Sequence, residues 1–381
     1  MNGPHREDEV RRRARPDAFG PVADALTYSI AIPARDELEA LPNLVAALDA
    51  QRDAAGSPFA RGEAEALVVL NNCADGSADV LAALAAARPW LRFVCVRLGP
   101  AEAHVGRARQ LAMDAACVRL LAAGRPEGII LTTDADTEPA PDWIAQTAAE
   151  VAAGADAVGG RTLLRADERA ALSPDVRRLY LLDLAYRRAL EELRELYAPS
   201  VHDPFPRHHH HFGASLAVTA RAYAHVGGLP AVPTSEDVAL ADALVEAGAH
   251  LRHSPAVRVR TSARMSGRAT GGLSDAFSQW TAVAAAHREP LVESAADAER
   301  RLARLGLAVD EAPDAPPPRD LRTTPSPPPG AGQPITEALA DLRSRIVRLR
   351  PLSHEARLAR ARHLVSGQPE PPRILRLPVA A

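Results

Sequence analysis

The chain has 381 residues, of which 47% are hydrophobic, 24% charged and 4% aromatic, so it holds enough apolar material for one large domain or two ordinary ones and is not a disordered or fibrous chain. Its 45 basic and 48 acidic side chains leave a formal charge of -3, so no global field draws in nucleic acid or an anionic membrane. Every cation among them is arginine, lysine being absent, which with the abundance of Ala, Pro and Gly reads as compositional bias rather than as a functional signal.

Taken in chain order, residues 1–26 are polar, Arg-rich and aperiodic, and read as a flexible tail. From Tyr28 onward YSIAIPA, ALVVLNN, FVCVRL, GIILTTD and DAVGGRT are short apolar runs of strand length. Between them lie Ala/Leu-rich stretches with helical character, LPNLVAALDAQ, ADVLAALAAARPWL, GRARQLAMDAACVRLLAAG and PDWIAQTAAEVAAG. Strands that are apolar throughout, alternating with helices, predict a mainly parallel α/β sheet covered on both faces, with ligands at the carboxyl ends of the strands. After Arg161 the spacing of Leu and Tyr in PDVRRLYLLDLAYRRALEELRELY suits one long helix, and HDPFPRHHHHFG must be loop. A second α/β stretch runs to an Arg- and Gly-rich segment, closing the main domain, residues 27–285. Residues 286–334 read as a helical piece and a Pro-rich linker, and 335–381 as a C-terminal helical tail.

Three cysteines, Cys73, Cys95 and Cys117, with no Cys-x-x-Cys spacing, suggest neither a disulfide framework nor a zinc ribbon. No run approaches the roughly 18 apolar residues of a membrane span. The expectation is a soluble protein of the reducing cytoplasm, with its oligomeric state left open.

The sharpest chemical feature is Asp134-Ala135-Asp136, directly after GIILTT and before Pro139 and Pro141, which are read as opening a helix. In an extended turn residues i and i+2 project to the same side, so both carboxylates can face one hard divalent ion whose shell phosphate oxygens complete. Capping or a solvated turn is the plain alternative for such a pair.

Four further segments occur in order around this one. They are IPARDE at Ile32 to Glu37, NNCADGSAD at Asn71 to Asp79, HVGRARQLA at His104 to Ala112, and Ser235-Glu236-Asp237 opening a helix. Together the five resemble the GT-A fold of family 2 glycosyltransferases over about residues 27–270. The resemblance implies an α/β nucleotide-diphospho-sugar transferase fold with helices on both faces of the sheet. It implies donor binding by Pro33, Glu37, Asn72, Asp75, Arg109 and Asp134, with either Asn72 or Asp75 reading the base. A Mg²⁺ or Mn²⁺ ion would be held by Asp134 and Asp136, and the catalytic base would be Asp237, with Glu236 secondary. Arg264 and Arg268 would close over the phosphates. The histidine that completes the metal shell in many such enzymes has no evident counterpart, since Thr261 or Ser262 stands near its place and His253 lies upstream. Gln279-Trp280 lacks the intervening residues of the processive motif, which favours transfer of a single sugar.

The run His208 to His211, preceded by His202 and Asp203, is too local for neighbouring residues all to face one ion, and by the resemblance it lines the acceptor side with Asp203, His211 and Gly213. The implied reaction is a metal-assisted single displacement with inversion from a nucleotide sugar to a hydroxyl of a small metabolite, a lipid-linked sugar or a protein. A non-catalytic nucleotide-sugar-binding or scaffold protein of the same fold is the competing reading, opposed by the presence of both carboxylates and Asp237. A nucleotidyltransferase would need a Gly-rich basic loop after the first strand, and IPARDELEALPN has neither Gly nor Lys.

Overall fold

The computed structural model describes residues 3–60, 62–264, 273–313, 315–327 and 331–366, which fall into two compact units. The first comprises the chain to Tyr180 and Val201–Arg288. Its centre is an eight-stranded sheet built from β1 (Tyr28–Ala34), β2 (Ala64–Asn71), β3 (Leu91–Val96), β4 (Ile129–Thr132), β5 (Thr137–Pro139), β6 (Ala157–Leu164), β7 (Leu216–Thr219) and β8 (Leu251–Thr261). The order is β3-β2-β1-β4-β7-β6-β8-β5. β1 to β4 pair in parallel and so do β6 and β8, whereas β7 runs antiparallel to both of its neighbours and β5 antiparallel to β8.

The predicted continuous apolar strands are explained by what lies on each face. Ala31, Leu67, Val69, Ile130, Leu216 and Val218 pack on α4 (Val105–Ala122) through Ala108, Ala112, Met113, Ala116 and Leu120. The alternate residues Ile30, Ile32, Val68, Leu70, Ile129 and Leu131 pack on the opposite face. There they meet Leu41 and Leu44 of α2 (Leu41–Asp49), Leu81 of α3 (Ser77–Ala85) and Trp143 of α5 (Trp143–Ala152). Both faces of β1, β2 and β4 are therefore buried, so no polar alternation survives in their sequences, whereas β8 alternates buried Val257, Val259 and Thr261 with exposed Arg258 and Arg260.

Two segments differ from the sequence reading. In place of a flexible tail, residues Gly3–Arg13 form helix α1, and Val10, Phe19 and Leu26 are buried in the sheet's core. Arg13 pairs with the wholly buried Asp114 at 3.0 Å and donates to Gly227 O at 2.8 Å, so charge rather than an apolar stripe docks the segment. After Asp136 the chain forms β5 before helix α5, because Thr137 to Pro139 pair with Thr261 to Val259 of β8.

The helices that follow in the chain are α6 (Ala166–Ala171), α7 (Pro174–Tyr197), α8 (Ala220–His225), α9 (Glu236–Glu246) and α10 (Leu273–Ala285). The single long helix predicted from the Leu and Tyr spacing is α7. The second unit takes Leu181–Ser200 from that helix and the turn after it, together with the described chain from Glu289 onward. It contains β9 (Leu291–Val292), α11 (Ala295–Glu311), α12 (Arg319–Arg322), β10 (Gln333–Pro334), α13 (Ile335–Leu349) and α14 (His354–Ser366). Leu190, Leu193 and Tyr197 share one core with Leu302, Leu305, Leu339, Leu342 and Ile346, so residues read as linker piece and tail form a unit with its own interior. Within it Glu299 is 1% exposed and is held by Tyr197 Oη at 2.8 Å, Arg360 at 3.1 Å and Arg345. No described helix is long and apolar enough to cross a membrane.

Candidate active site

β1, β2 and β4 run parallel, so their carboxyl ends open on one edge of the sheet, where an α/β sheet places its ligands. Pro33 is buried in β1 and pairs with Val69 of β2, beyond the point where β4 pairing stops at Thr132, so its missing N–H interrupts no ladder. After β4, Ala135 is 3% exposed and packs into the core. Instead of the expected extended segment, Asp134 to Thr137 form a turn closed by Thr137 N donating to the Asp134 carbonyl at 3.1 Å, and within it the charge of Asp134 acts on the Asp136 carboxyl.

Arg109 gathers the site from four separate parts of the chain. It lies in the second turn of α4, whose N-cap His104 accepts from Arg107 N at 3.2 Å, and only 4% of its side chain is exposed. Nη2 donates to Asp134 Oδ1 at 2.7 Å and Nε to Glu236 Oε1 at 2.9 Å. Nη1 donates to Thr132 Oγ1 at 2.8 Å and to the Gly213 carbonyl at 3.0 Å. Burial lowers the Arg109 pKa, but the charges of Asp134, Glu236 and Asp237 outweigh it and the net shift is upward. Gly213 must be glycine here, since a Cβ would lie 2.4 Å from the guanidinium carbon.

Glu236 and Asp237 open α9 after Ser235, which adopts a left-handed φ of 58°. Glu236 is 3% exposed and is bonded to Arg109. Asp237 is half-buried, with Oδ2 accepting from Gly213 N at 2.6 Å and Oδ1 from Val238 N at 2.7 Å. Burial, with the charge of Glu236, pushes the Asp237 carboxyl above its ordinary value against the pull of Arg109 and the two N–H groups.

Arg264 joins Asp136 to Glu37. Its guanidinium donates to Glu37 Oε2 at 3.0 Å and Oε1 at 2.8 Å, and stands 3.0 Å from Asp136 Oδ2. Burial and the neighbouring charge of Asp134 push the Asp136 carboxyl up to about 6, with Arg264 opposing and Glu37 adding to the rise. Arg268 lies outside the described residues.

The second-strand turn is held by the residues that were candidates for reading the base. Asn72, at φ 54°, spends its amide on Leu98, accepting from its N–H at 2.8 Å and donating to its carbonyl at 3.0 Å. Asp75 accepts from Ser77 N at 3.0 Å, Ser77 Oγ at 2.5 Å and Leu38 N at 3.0 Å. Asp36, Cys73 and Asp75 bring ligand atoms within 4.8 Å of one another, the one such group of three among the described residues. Asp36 and Cys73 escaped the sequence reading, because only the approach of the first and second strand ends brings them together.

The three candidates for completing a metal shell are engaged elsewhere. Thr261 Oγ1 bonds Thr137 Oγ1 at 3.1 Å and Ser262 Oγ donates to Glu168 at 3.0 Å. His253 Nδ1 is 2.8 Å from Asp203 Oδ2, and its Nε2 is 3.2 Å from His211 Nδ1. Burial pushes the Asp203 carboxyl upward, but His253 and Arg207 hold it well below its usual range. In the histidine run, His208 meets Ser254 O at 3.0 Å and accepts from His210 N, and His210 accepts from Thr162 N. Burial and the charge of His253 push His208 down to about 3. The run fastens its loop to β6 and β8, and no described trio of metal-ligand atoms includes it.

The Asp134 and Asp136 carboxylates, close enough to interact electrostatically, are hard oxygen donors of the kind a divalent ion takes with phosphate oxygens, and the Arg264 guanidinium already places positive charge against Asp136, so the residues present fit such an ion.

A helix-covered mixed sheet, an Asp-x-Asp after its fourth strand and an acidic pair opening a helix against the same arginine together form an α/β domain with the arrangement expected of a GT-A-type fold. Residues 29–203 match the model of the family described as glycosyl transferase family 2. Among solved structures the chain is similar to the mannosyltransferase PcManGT from Pyrobaculum calidifontis in complex with GDP-Man and Mn²⁺, at 17% identity over 95% of this chain and 81% of that one, with a TM-score of 0.44. It is also similar to residues 1–349 of S. aureus TarS in complex with UDP, at 15% identity over 58% of this chain and 55% of that one, with a TM-score of 0.38. No curated protein matches the chain.

Proposed function

We propose that the protein transfers one sugar from a nucleotide-diphosphate donor to an acceptor hydroxyl by single displacement with inversion. The observation that carries this reading is the convergence on Arg109, which ties the carboxylate after β4 to the acidic pair of α9 and to the Gly213 carbonyl. Asp237, fixed by two backbone N–H groups and raised above its ordinary pKa, is the general base that takes the acceptor proton as the hydroxyl attacks the anomeric carbon. Asp134 and Asp136 are the residues that hold Mg²⁺ or Mn²⁺, which when bound supplies Lewis-acid neutralisation of the departing diphosphate. Glu37 and Arg264 belong to the donor side, with Pro33, Asn72 and Asp75 shaping the strand ends that receive the nucleotide, and Asp203, His211 and Gly213 to the acceptor side.

Asp237→Asn tests the base. It keeps the shape of the side chain but offers one acceptor oxygen to the two N–H groups, so one of those contacts is lost, while nucleotide binding should survive and sugar release from the donor to water or acceptor should fall by about 100-fold or more. Full turnover in that variant would remove Asp237 from the role. Nucleotide binding without turnover of any donor in the unaltered chain would favour the non-catalytic scaffold reading.

A further inference from the structure

Asp134 and Asp136 are both paired with arginines, and what holds each arginine differs. Arg109 serves Glu236, Thr132 and Gly213 as well as Asp134, and only 4% of its side chain is exposed, so it cannot leave without orphaning buried acceptors. Arg264 has 33% of its side chain exposed and its bonds at this site are to two carboxylates, Glu37 and Asp136. It can depart if another cation takes the carboxylates and an anion takes the guanidinium.

We propose that Arg264 is the resident counter-cation of Asp136, and that it couples metal binding to nucleotide binding. A divalent ion gains Asp136 fully only as a nucleoside diphosphate draws the guanidinium away. This rests on the reading of Asp136 as a metal ligand and deepens it. The physical ground is exchange of partners. Two cations on one carboxylate oxygen repel each other, whereas a diphosphate offers guanidinium the planar pair of oxygens it binds best. Glu37 keeps its negative charge at the site after the exchange and favours the return of Arg264 when product leaves. Such coupling is reciprocal, so the nucleotide must gain from the metal what the metal gains from the nucleotide.

The test is titration of Mn²⁺ alone and in the presence of UDP or GDP, followed by the electron paramagnetic resonance of free Mn²⁺, on the full chain and on Arg264→Gln, Arg264→Lys and Asp136→Ala. Arg264→Gln should bind Mn²⁺ alone about tenfold more tightly than the unaltered chain, equivalent to about 1.4 kcal/mol, and should gain correspondingly less from nucleotide. Arg264→Lys, which keeps the charge, should stay close to the unaltered chain, so that the effect follows charge and not shape. Equal Mn²⁺ affinity in the unaltered chain and Arg264→Gln, with binding still dependent on Asp136, overturns the coupling alone. Mn²⁺ binding that survives Asp136→Ala, or no binding even with nucleotide, overturns the metal-site reading and this proposal with it.

Discussion

Arg109 is worth more as a partner than as a charge. Its four acceptors come from β4, the turn after it, the Gly213 loop and α9, and two of them are carboxylates. Removing it with Arg109→Met leaves Glu236 buried and uncompensated, which should cost about 3–5 kcal/mol of folding stability, read as a lower urea midpoint. Arg109→Lys should not restore it, because one ammonium cannot span four acceptors set around a planar fork. Asp203 makes a different prediction, in pH. Its folded pKa lies below the ordinary 3.8, so the protein gains stability from its carboxylate above the unfolded value and loses that gain as pH falls through the folded one. Asp203→Asn should therefore be less stable than the unaltered chain at pH 7, and urea unfolding should show the gap closing as pH drops below about 3.9. A gap that stays constant with pH would show that the carboxylate charge is not what stabilises this corner.

Helix α1 was not legible in the sequence, and the reason is physical. Among its described side chains only Val10 is buried, so no apolar stripe marks it, and its anchor is a pair 101 residues apart between Arg13 and Asp114. Arg13→Met should leave Asp114 with Tyr223 as its remaining partner, at 2.8 Å, and lower stability by about 1–3 kcal/mol in thermal or urea unfolding. An unchanged midpoint would mean that the helix does not dock through this pair. β1 to β4 were legible because each is apolar on both faces, and α4 because its small and apolar residues must cover one of them. β5 was not, since three residues ending in Pro139 become a strand only through the distant register of β8. The site divides the same way. Asp134, Asp136 and Asp237 announce themselves by residue type and place, but the assignment of Asn72 to Leu98, of His253 to Asp203 and of Arg264 to Asp136 depends on contacts that no local pattern encodes.

At the scale of the molecule, the described donor, metal and base candidates fall in the first unit, on the edge where the parallel strands end. The second unit has its own apolar core and its own buried anion, Glu299. The central claim is that this edge binds a nucleoside diphosphate together with a divalent ion, and thermal unfolding against UDP, GDP, CDP and dTDP, with and without Mn²⁺, tests it most directly. A ligand at about 100 times its dissociation constant adds roughly 2.7 kcal/mol, which is well within reach of the method. The account predicts an upward shift with one or more of the four that needs Mn²⁺, persists in Asp237→Asn and vanishes in Asp136→Ala. No shift with any nucleotide, or a shift that ignores both Mn²⁺ and Asp136→Ala, would contradict it.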